Sequence, residues 1–484
     1  MKENKLQYNA VMNLLLSLSQ YVFPMLAFAY AVRILGAEGI GNVSFAISYT
    51  AYYAMVAALG IPTYGIRACA EARKSKNELS RVTSQLLTIN FFSTMFSVAV
   101  FIASVFILPK LRQEYILFMI AGTNIISNGM QAQWFFQGIE EYGYITKRTL
   151  LFRVLSLSFI ILFVRKTDDI VFYCIGLVLV EFGAFIVNTI QLRRHVRFVK
   201  VKVKELVPHI KPILYFFASA TAISIYTNLD VVMLGFLAGD DSVGYYSVAN
   251  KIYRVFNSII AALFAVFVPR ISSLISIGKE KEVSKLTKQG FYVVEMMALP
   301  ISAYLFFMSD FIIKIIAGDG YAKSEMALLL MGICNIFVGY SGVIINLIMI
   351  PRKREKYSTI AIAIGAIENI ILNAILIPKF DLYGATLATV VTEFSVLLIV
   401  ALFERNLIKG FVPKHFLIRE FAILLLLITV TYGLKQLTFN CSFIKVFVMS
   451  CIWAVIALGI LLLFRNELCL GIFQKIKLLL RKKG

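Results

Sequence analysis

The 484-residue sequence is poor in charged residues, and the charge it has is unbalanced. Asp, Glu, Lys and Arg make up 15% of the chain, whereas about 25% is usual for a soluble domain. There are 27 acidic residues against 48 Lys and Arg, three His and two Trp. Hydrophobic residues reach 60%, and the mean hydropathy is +0.82. This composition excludes a soluble enzyme, a disordered chain and a secreted disulfide scaffold, and it predicts a polytopic membrane protein.

Sequence motifs of catalysis and metal binding are also absent. The six Cys are scattered without a C-x-x-C pair, and the three His lack metal-ligand spacing. There is no G-x-x-x-x-G-K-[ST] phosphate loop and no recognisable Ser/His/Asp set. The sequence therefore predicts a protein that is not an enzyme, with no metal and no cofactor, and it leaves coupling to H+ or Na+ open.

Long apolar runs fill most of the chain, and each is long enough to cross a bilayer, which takes about 20 residues. A backbone exposed to lipid must satisfy its own hydrogen bonds, so each run is expected to be a helix. The fold class predicted is an all-α polytopic membrane protein with about fourteen transmembrane helices. The predicted spans are 9–33, 40–66, 84–108, 114–137, 146–164, 169–191, 211–236, 244–269, 290–316, 325–350, 357–377, 382–403, 416–437 and 443–464.

The Lys and Arg residues predict how these helices are oriented. With the N-terminus in the cytoplasm, the inner segments carry 35 Lys and Arg, and the outer segments carry 10. Cytoplasmic loops are enriched in these residues. We therefore expect both termini inside (N-in/C-in). Three cations remain at membrane depth, and they are Arg153, Lys251 and Arg254.

A basic connection at 193–210 divides the predicted helices into two six-helix lobes, 1–192 and 211–404. Residues 405–484 add two C-terminal helices and a basic cytoplasmic tail. The alternation from Arg197 to Lys204 fits either a short strand or a basic loop against anionic headgroups. Because the cations follow membrane topology and form no single patch, nucleic acid is not a predicted partner.

Two segments share a pattern that indicates an internal repeat. One runs from Arg33 to Ser44, after the first span, and the other from Met233 to Ser247, after the seventh. Each joins a helix, through an outer glycine-rich turn, to a helix that opens with Gly and Ser. Many transporters are built from such repeats, with the substrate site where the repeats meet near the midplane.

Charged residues at membrane depth are costly and mark candidate sites. Lys251 and Arg254 are three residues apart, on one face of the eighth helix. They form either a cationic site for phosphate or carboxylate, with Arg254 as a bidentate donor, or a structural ion-pair cluster. Asp230, at a similar depth on the seventh helix, is a candidate partner for Lys251 and a candidate ion-coupling residue.

Other charges fall within the remaining helices. Glu368 and Glu393 lie near the middle of their helices and are candidates for proton or sodium coupling, although either fits a position facing water. Arg153 and Glu181, on neighbouring helices, are expected to neutralise one another. Glu295 lies near the inner end of its helix, so we expect its carboxylate to reach the interface.

Amide side chains form a stripe on the fourth helix. Asn124, Asn128 and Gln131 share one face, because they are spaced by four and then three residues. Amides beside an aromatic residue, here Trp134, suit sugar hydroxyls. Interhelical hydrogen bonding explains the same stripe equally well.

Several short stretches carry a family resemblance. They are Asp230-Val-Val-Met-Leu-Gly with Val243-Gly-Tyr-Tyr-Ser-Val-Ala-Asn-Lys251, Val268-Pro-Arg-Ile-Ser272, Arg33-Ile-Leu-Gly-Ala-Glu-Gly-Ile-Gly41, Leu59-Gly-Ile-Pro-Thr-Tyr-Gly-Ile-Arg67 and Trp134-Phe-Phe-Gln-Gly138. Together they resemble the polysaccharide-transporter family of oligosaccharide flippases, over nearly the whole chain. The stretch from Asp230 to Lys251 is the most specific of them.

The resemblance implies the fold of the multidrug/oligosaccharidyl-lipid/polysaccharide exporter (MOP) superfamily, in which helices one, two, seven and eight line a central cavity. That arrangement would bring Arg33, Asp230, Lys251 and Arg254 near the transport pathway. It also implies flipping of an undecaprenyl-pyrophosphate-linked repeat unit across a bacterial cytoplasmic membrane by alternating access, for capsule, O-antigen or a related polymer.

The predicted substrate-binding residues are Lys251, Arg254, Arg153, Arg33, Asn128 and Gln131. Expected partners are a lipid-linked oligosaccharide, membrane lipids, and a polysaccharide polymerase and glycosyltransferases. A cation-coupled multidrug antiporter and a lipid II flippase of the same fold are alternatives, and the cations at membrane depth argue against the antiporter. A membrane glycosyltransferase or polymerase would need a large outer loop with catalytic residues, which the predicted topology lacks.

Overall fold

The computed structural model describes residues 2–412, 416–436 and 443–464, and every regular element in these ranges is helical. The α-helices are α1 (Lys2–Ala58), α2 (Ile61–Ala72), α3 (Lys76–Ile107), α4 (Pro109–Gln113), α5 (Tyr115–Met130), α6 (Gln133–Gly138), α7 (Tyr142–Phe163), α8 (Ile170–His195), α9 (Val203–Leu237), α10 (Asp240–Ser276), α11 (Glu280–Ile316), α12 (Lys323–Val343), α13 (Glu355–Phe380), α14 (Leu382–Phe403), α15 (Arg405–Phe411), α16 (Phe416–Gln436) and α17 (Phe443–Leu463). Short 3-10 turns and one π-helical turn lie on either side of α12, at Asp319–Tyr321, Ile344–Met349 and Ile350–Arg352. The all-α prediction is confirmed.

The helices follow the predicted spans, with three interruptions. Gly36 breaks α1 between the first two spans, with φ 71° and ψ 179°. Leu59 (φ 49°) ends α1 inside the second span, and Ala132 (φ 48°) separates α5 from α6 inside the fourth. Within the described residues, nine helical stretches are long and apolar enough to cross a membrane, and the stretch Leu15–Ala72 covers the second predicted span and most of the first. The total of fourteen and the N-in/C-in orientation stay predictions.

The basic connection forms no strand, so that interpretation of its alternating pattern is wrong. Residues 196–202 have no regular structure and lie along α3. The backbone N–H groups of Arg197 and Val199 donate to the hydroxyl oxygens of Ser80 and Ser84, each at 3.2 Å. Side chains of α3 thus accept hydrogen bonds from these two backbone N–H groups, which in a sheet would be bonded to a neighbouring strand.

The chain divides into two compact units, residues 1–247 and residues 248–484. In the first unit, α1 packs against α3, α5, α7, α8 and α9. In the second, α11 packs against α12 and α16, and α13 packs against α14. The boundary between these units, at residue 247, differs from the boundary between the predicted six-helix lobes, at 193–210. The division into two six-helix lobes stays a prediction.

The internal repeat seen in the sequence has a counterpart in the backbone of the first unit. Gly36 and Gly239 both have positive φ angles, 71° and 98°. Each lies five residues before a second glycine, Gly41 or Gly244. A positive φ of this size suits glycine, which has no Cβ to clash. The two segments therefore share a glycine of positive φ five residues before a second glycine.

The two repeated segments also cross each other at their second glycines. A Cβ on Gly41 would overlap the carbonyl group of Asp240, and a Cβ on Gly244 would overlap the carbonyl group of Ala37. The contact is reciprocal, because Ala37 precedes Gly41 by four residues, as Asp240 precedes Gly244. Backbones approach this closely only where side chains are absent. The start of α10 is thereby held against the second half of α1.

We expect Gly41→Ala and Gly244→Ala to destabilise the protein to a similar extent, because either methyl group would push the two backbones apart. Overpacking of this kind costs about 1–3 kcal/mol. The thermal unfolding temperature of the purified full-length protein measures the effect. Gly433→Ala on α16 is the matched control, since a Cβ there meets nothing within 4 Å. Unchanged unfolding temperatures for both Gly41→Ala and Gly244→Ala would contradict the close crossing.

Candidate functional site

A break in the fourth predicted span organises the polar groups of the first unit. α5 ends at Met130 and α6 begins at Gln133, because Ala132 adopts a left-handed conformation with φ 48° and ψ 32°. The break releases the Gln131 carbonyl, which accepts a hydrogen bond of 2.6 Å from Nδ2 of Asn188 on α8. A carbonyl without a partner is costly at membrane depth. Asn188 is thereby held in place beside the break.

Arg148 on α7 is the buried centre of this network, with 5% of its surface exposed. Its guanidinium donates to Oδ1 of Asn188, to Oε1 of Gln133 at 2.7 Å and to Oγ1 of Thr149 at 3.1 Å. The hydroxyl of Tyr144 donates to the same Asn188 oxygen at 2.9 Å. Arg148 thus ties α7 and α8 to the interrupted helix.

Sequence reasoning missed Arg148. The predicted fifth span begins at residue 146, and Arg148, close to its inner end, is counted among the cations of the inner segments and not among those at membrane depth. In the structure α7 begins at Tyr142, which puts Arg148 in its second turn and turns the side chain into the bundle. The available signal was Tyr144, four residues earlier on the same helix face, whose ring lies 5.9 Å from the guanidinium carbon.

Arg153, a predicted substrate-binding residue, bonds to α1. Its guanidinium donates to the Leu16 carbonyl at 3.2 Å and to the hydroxyl of Ser19. Arg153 and Glu181 form no direct ion pair in the described part of the chain. Glu181 instead accepts a 3.4 Å hydrogen bond from Nε2 of Gln131, and its carboxylate interacts with Arg153 through space.

Asn124, Asn128 and Glu181 line a cavity of about 370 Å³ in the first unit. The opposite lining comes from the second half of α1 and consists of Ile47, Thr50, Ala51, Ala54, Met55 and Ala58. Oδ1 of Asn124 and Oε1 of Gln131 are buried and have no hydrogen-bond partner among the described residues. The cavity therefore combines amide and carboxylate groups on one wall with mainly apolar side chains on the other.

The predicted cationic residues lie in different parts of the chain. Arg33, on α1, is exposed. Lys251 and Arg254 lie on the part of α10 that belongs to the second unit, where Lys251 is half-buried and Arg254 exposed. Nε of Arg254 donates to Oδ1 of Asn250 at 3.2 Å. This contact along the helix orients the guanidinium.

The predicted ion-coupling carboxylates lie on three helices. Asp230 on α9 is buried and accepts a 2.6 Å hydrogen bond from the Tyr246 hydroxyl, within the first unit. Glu368 on α13 accepts a 2.9 Å hydrogen bond from Ser395 on α14, and Glu393 on α14 is buried. The pairing of Asp230 with Lys251 and the coupling roles stay predictions.

A second polar cluster lies at the predicted outer end of the first unit, and sequence reasoning also missed it. Lys110 on α4 pairs with Asp240 at 2.9 Å, donates to the Gly235 carbonyl and lies 5.0 Å from the ring centre of Phe45. These groups border a cavity of about 410 Å³. The sequence placed Lys110 in an outer loop, and nothing in its spacing pointed to a partner more than a hundred residues away.

Two protein-family models match the chain. The model described as "Polysaccharide biosynthesis protein" matches residues 6–275, which is more than half of the chain. The model described as "MatE" matches residues 216–375. Together the two matches run from the first helix to α13.

Curated relatives carry the names of transporters and flippases. A "Putative O-antigen transporter" of Escherichia coli (strain K12) is 23% identical over 401 residues, which cover 80% of this chain and 94% of that protein. A "Probable flippase AglR" of Haloferax volcanii is 28% identical over 174 residues, covering 34% of this chain and 35% of that protein.

Solved structures show the same fold at low sequence identity. The lipid II flippase MurJ, in an inward closed conformation, matches with a TM-score of 0.76 and 16% identity, covering 95% of this chain and 99% of MurJ. An inward-facing multidrug resistance MATE family transporter of the MOP superfamily matches with a TM-score of 0.64 and 14% identity, covering 81% of this chain and 95% of that one. The family-model match, the relatives and the fold agree, and the chain belongs to the polysaccharide biosynthesis protein family within the MOP superfamily.

Proposed function

We propose that this chain flips a lipid-linked oligosaccharide across the bacterial cytoplasmic membrane by alternating access. The observation that carries the proposal is the cavity of the first unit, where α5 and α8 supply amides and a carboxylate to one wall. Polar groups at membrane depth need partners. The buried acceptor oxygens of Asn124 and Gln131 lack donors among the described residues, and sugar hydroxyls are such donors. The mainly apolar side chains of the opposite wall suit the C–H face of a sugar ring.

In this proposal, residues of the second unit bind the pyrophosphate that joins the sugar to the lipid. Lys251 and Arg254 lie on one face of α10, and a guanidinium binds phosphate oxygens in a bidentate manner. An anion without a partner is very costly in an apolar medium. We take the carrier to be undecaprenyl pyrophosphate, whose tail stays in the bilayer at a lateral opening while the head crosses.

A multidrug antiporter and a lipid II flippase are the rival functions, because both share this fold and fold does not determine substrate. The cavity of the first unit does not favour a cationic drug. Its carboxylate, Glu181, interacts through space with Arg148 and Arg153, which offset its negative charge. A lipid II flippase moves a related head group, so substitution experiments in a polymer-producing strain are what separate it from our proposal.

The contacts at the predicted outer end support a cycle of opening and closing. Gly41 and Gly244 cross closely there, and the Lys110–Asp240 ion pair lies beside the crossing. We propose that the transport cycle breaks these contacts when the outward side opens. Asp240 belongs to both features, since its carbonyl group meets Gly41 and its carboxylate meets Lys110.

The energy source and the partners are part of the same proposal. A proton or sodium gradient is the proposed source, with Asp230, Glu368 and Glu393 as candidate coupling residues. A polysaccharide polymerase would consume the flipped unit, and glycosyltransferases would supply it. The named relatives are transporters and flippases, so we propose transport without an enzymatic step.

The double substitution Asn124→Ala/Asn128→Ala is expected to lower surface polymer strongly, because it removes hydrogen-bonding groups from the cavity wall. Two lost hydrogen bonds, at about 0.5–1.5 kcal/mol each, slow transport roughly 5- to 150-fold. Polymer is measured in a strain lacking the native gene, together with the amount of protein in the membrane. Ile126→Ala, an exposed position on the same helix, is the matched control. Normal polymer from the double variant would overturn the assignment of this cavity.

Lys251→Ala and Arg254→Ala are each expected to abolish surface polymer while the protein remains in the membrane. The reason is that the pyrophosphate would lose the cations that offset its desolvation. Lys281→Ala, an exposed cation at the start of α11, is the control and is expected to keep polymer at the wild-type level. Normal polymer in both variants would exclude a role for the α10 cations.

Lys110→Met is expected to open the predicted outer end more often. A partly buried ion pair of this kind contributes about 0.5–1 kcal/mol, which corresponds to a roughly two- to fivefold change in population. The measurement is the rate at which a membrane-impermeant thiol reagent labels Asn42→Cys, in the outer cavity, on a cysteine-free background. Exchanging the charges, as Lys110→Asp with Asp240→Lys, should restore slow labelling. Equal labelling rates in all three proteins would rule out a closing role for the pair.

A further inference from the structure

A carboxyl group lies in the middle of α13, on the exposed apolar side of that helix. Glu368 is half-buried, and the helix runs from Glu355 to Phe380. At 1.5 Å per residue, Glu368 is about 18–20 Å from either end. The short side chain of a glutamate does not reach water over that distance. The environment of the Glu368 carboxyl is therefore set by the residues beside it.

Isoleucine side chains surround Glu368 on its own helix face. Ile364 precedes Glu368 by four residues, and Ile371 and Ile375 follow it by three and seven, which places all of them on one face. The three isoleucines are each about half exposed. Because α13 is long and apolar enough to span the membrane, an exposed apolar face of this kind contacts the acyl chains of the bilayer.

A groove of about 290 Å³ opens on this face of α13. Among the described residues, its lining consists of Ile364, Ile367, Glu368, Ile371 and Leu372. Four of the five are aliphatic, so the groove offers a carboxylate neither a counter-ion nor a hydrogen-bond donor. An ionised carboxylate is strongly unfavourable in such surroundings, and the group takes up a proton instead.

The hydrogen-bond partner of Glu368 is a neutral hydroxyl. Oγ of Ser395 on α14 donates to Oε1 of Glu368 at 2.9 Å. No cation of the described residues lies within ion-pairing distance of this carboxyl. A carboxylic acid accepts such a bond and keeps its own proton on the second oxygen. The contact with Ser395 therefore fits the neutral form of Glu368.

A second glutamate of the same helix pair provides the contrast. Glu404 directly follows α14, its side chain is 0% exposed, and it pairs with Nη1 of Arg354 at 2.9 Å. A buried carboxylate retains its charge where a cation is bonded to it. Glu404 has a guanidinium as its partner, whereas Glu368 has the hydroxyl of Ser395.

Other ionisable groups on the elements that pack against α13 lie away from Glu368. These elements are α14 and the π-helical turn Ile344–Met349, which contains no ionisable residue. Glu393 precedes Ser395 by two residues, so a turn of about 200° places it on the opposite side of α14. Glu393 interacts through space with Tyr253 on α10. The remaining ionisable residues of α13 and α14 lie in first or last turns: Glu355, Lys356, Tyr357, Lys379 and Tyr383.

We propose that Glu368 is a neutral carboxylic acid that faces the acyl chains, and that it is therefore a proton-binding site inside the bilayer. Ser395 holds its carbonyl oxygen, and the surrounding isoleucines exclude water. One carboxyl and one hydroxyl suit a proton, whereas a hard metal cation is held by several oxygen ligands. The proposal rests on the proposed function only in its coupling step, where it names the proton as the ion that Glu368 binds.

Dicyclohexylcarbodiimide, which dissolves in the bilayer, tests the site in the full-length protein in lipid vesicles. A protonated carboxyl adds to this reagent. The acid proton moves to one nitrogen, the carboxyl oxygen bonds to the central carbon, and the acyl group then migrates to the other nitrogen. Nothing leaves, so the modified peptide gains the mass of one carbodiimide.

At neutral pH we expect mass spectrometry to find this adduct on Glu368 and to find it lost in Glu368→Gln. Glu404 is the matched control in the same protein and should stay unmodified, because it is buried and paired with Arg354. A water-soluble carbodiimide with an amine should modify Asp381, which is exposed between α13 and α14, and should leave Glu368 unchanged. Modification of Glu368 by the water-soluble reagent, or its absence with dicyclohexylcarbodiimide, would overturn the proposal.

The dependence of thermal stability on pH is the second measurement. Glutamates of the unfolded chain release their protons above about pH 4.3, whereas the folded protein keeps the proton on Glu368. The folded state therefore binds more protons, and wild-type stability falls as pH rises. Glu368→Gln keeps an uncharged side chain of the same shape, so the wild-type unfolding temperature should fall relative to that of Glu368→Gln from about pH 4 to about pH 8. A constant difference between the two proteins would contradict the proposal. Neither measurement uses a transported substrate, so this proposal and the proposed function can fail separately.

Discussion

Hydrocarbon offers a peptide backbone no hydrogen-bond partner, and the interruptions of this helix bundle depend on that constraint. Where α1 ends, Nδ2 of Asn90 donates to the Ala57 carbonyl at 3.1 Å, and the Ser93 hydroxyl donates to the same oxygen at 2.6 Å. Where α5 ends, Asn188 takes the same role for Gln131. Both of these breaks are thus matched by a polar side chain from a neighbouring helix.

The same constraint separates structural polar groups from those available to a substrate. Arg148 and Arg153 donate hydrogen bonds to neighbouring helices of the first unit. Glu295, which was expected to reach the interface, is instead buried and pairs with Arg419 in the second unit. A transport site has to keep some polar atoms without partners until the substrate arrives. Oδ1 of Asn124, on the wall of the cavity in the first unit, is an atom of this kind. The feature that distinguishes the site is a buried acceptor atom without a donor among the described residues, and not polarity alone.

The helices were predictable from the sequence, and contacts between side chains far apart in the sequence were not. Apolar length predicts helices well, because spanning a bilayer leaves few alternatives. The ends of the helices were placed less well: α11 begins at Glu280, ten residues before the predicted span, because its first turns are polar and outside the apolar run. Lys110 and Glu295 both looked like peripheral charges, since their partners lie far away in sequence. The stripe of Asn124 and Asn128 was visible because one helix carries both.

The crossing of Gly41 and Gly244 has the geometry of a two-fold interface within a single chain. Each glycine meets the carbonyl four residues before the other, so each contact is the image of its partner. Two copies of a half-length protein related by a two-fold axis make contacts of this reciprocal kind. Within one chain the two sides can differ in sequence, and here they do. Ala37 occupies the position equivalent to Asp240, so the ion pair with Lys110 exists on one side only and the local symmetry ends at that residue.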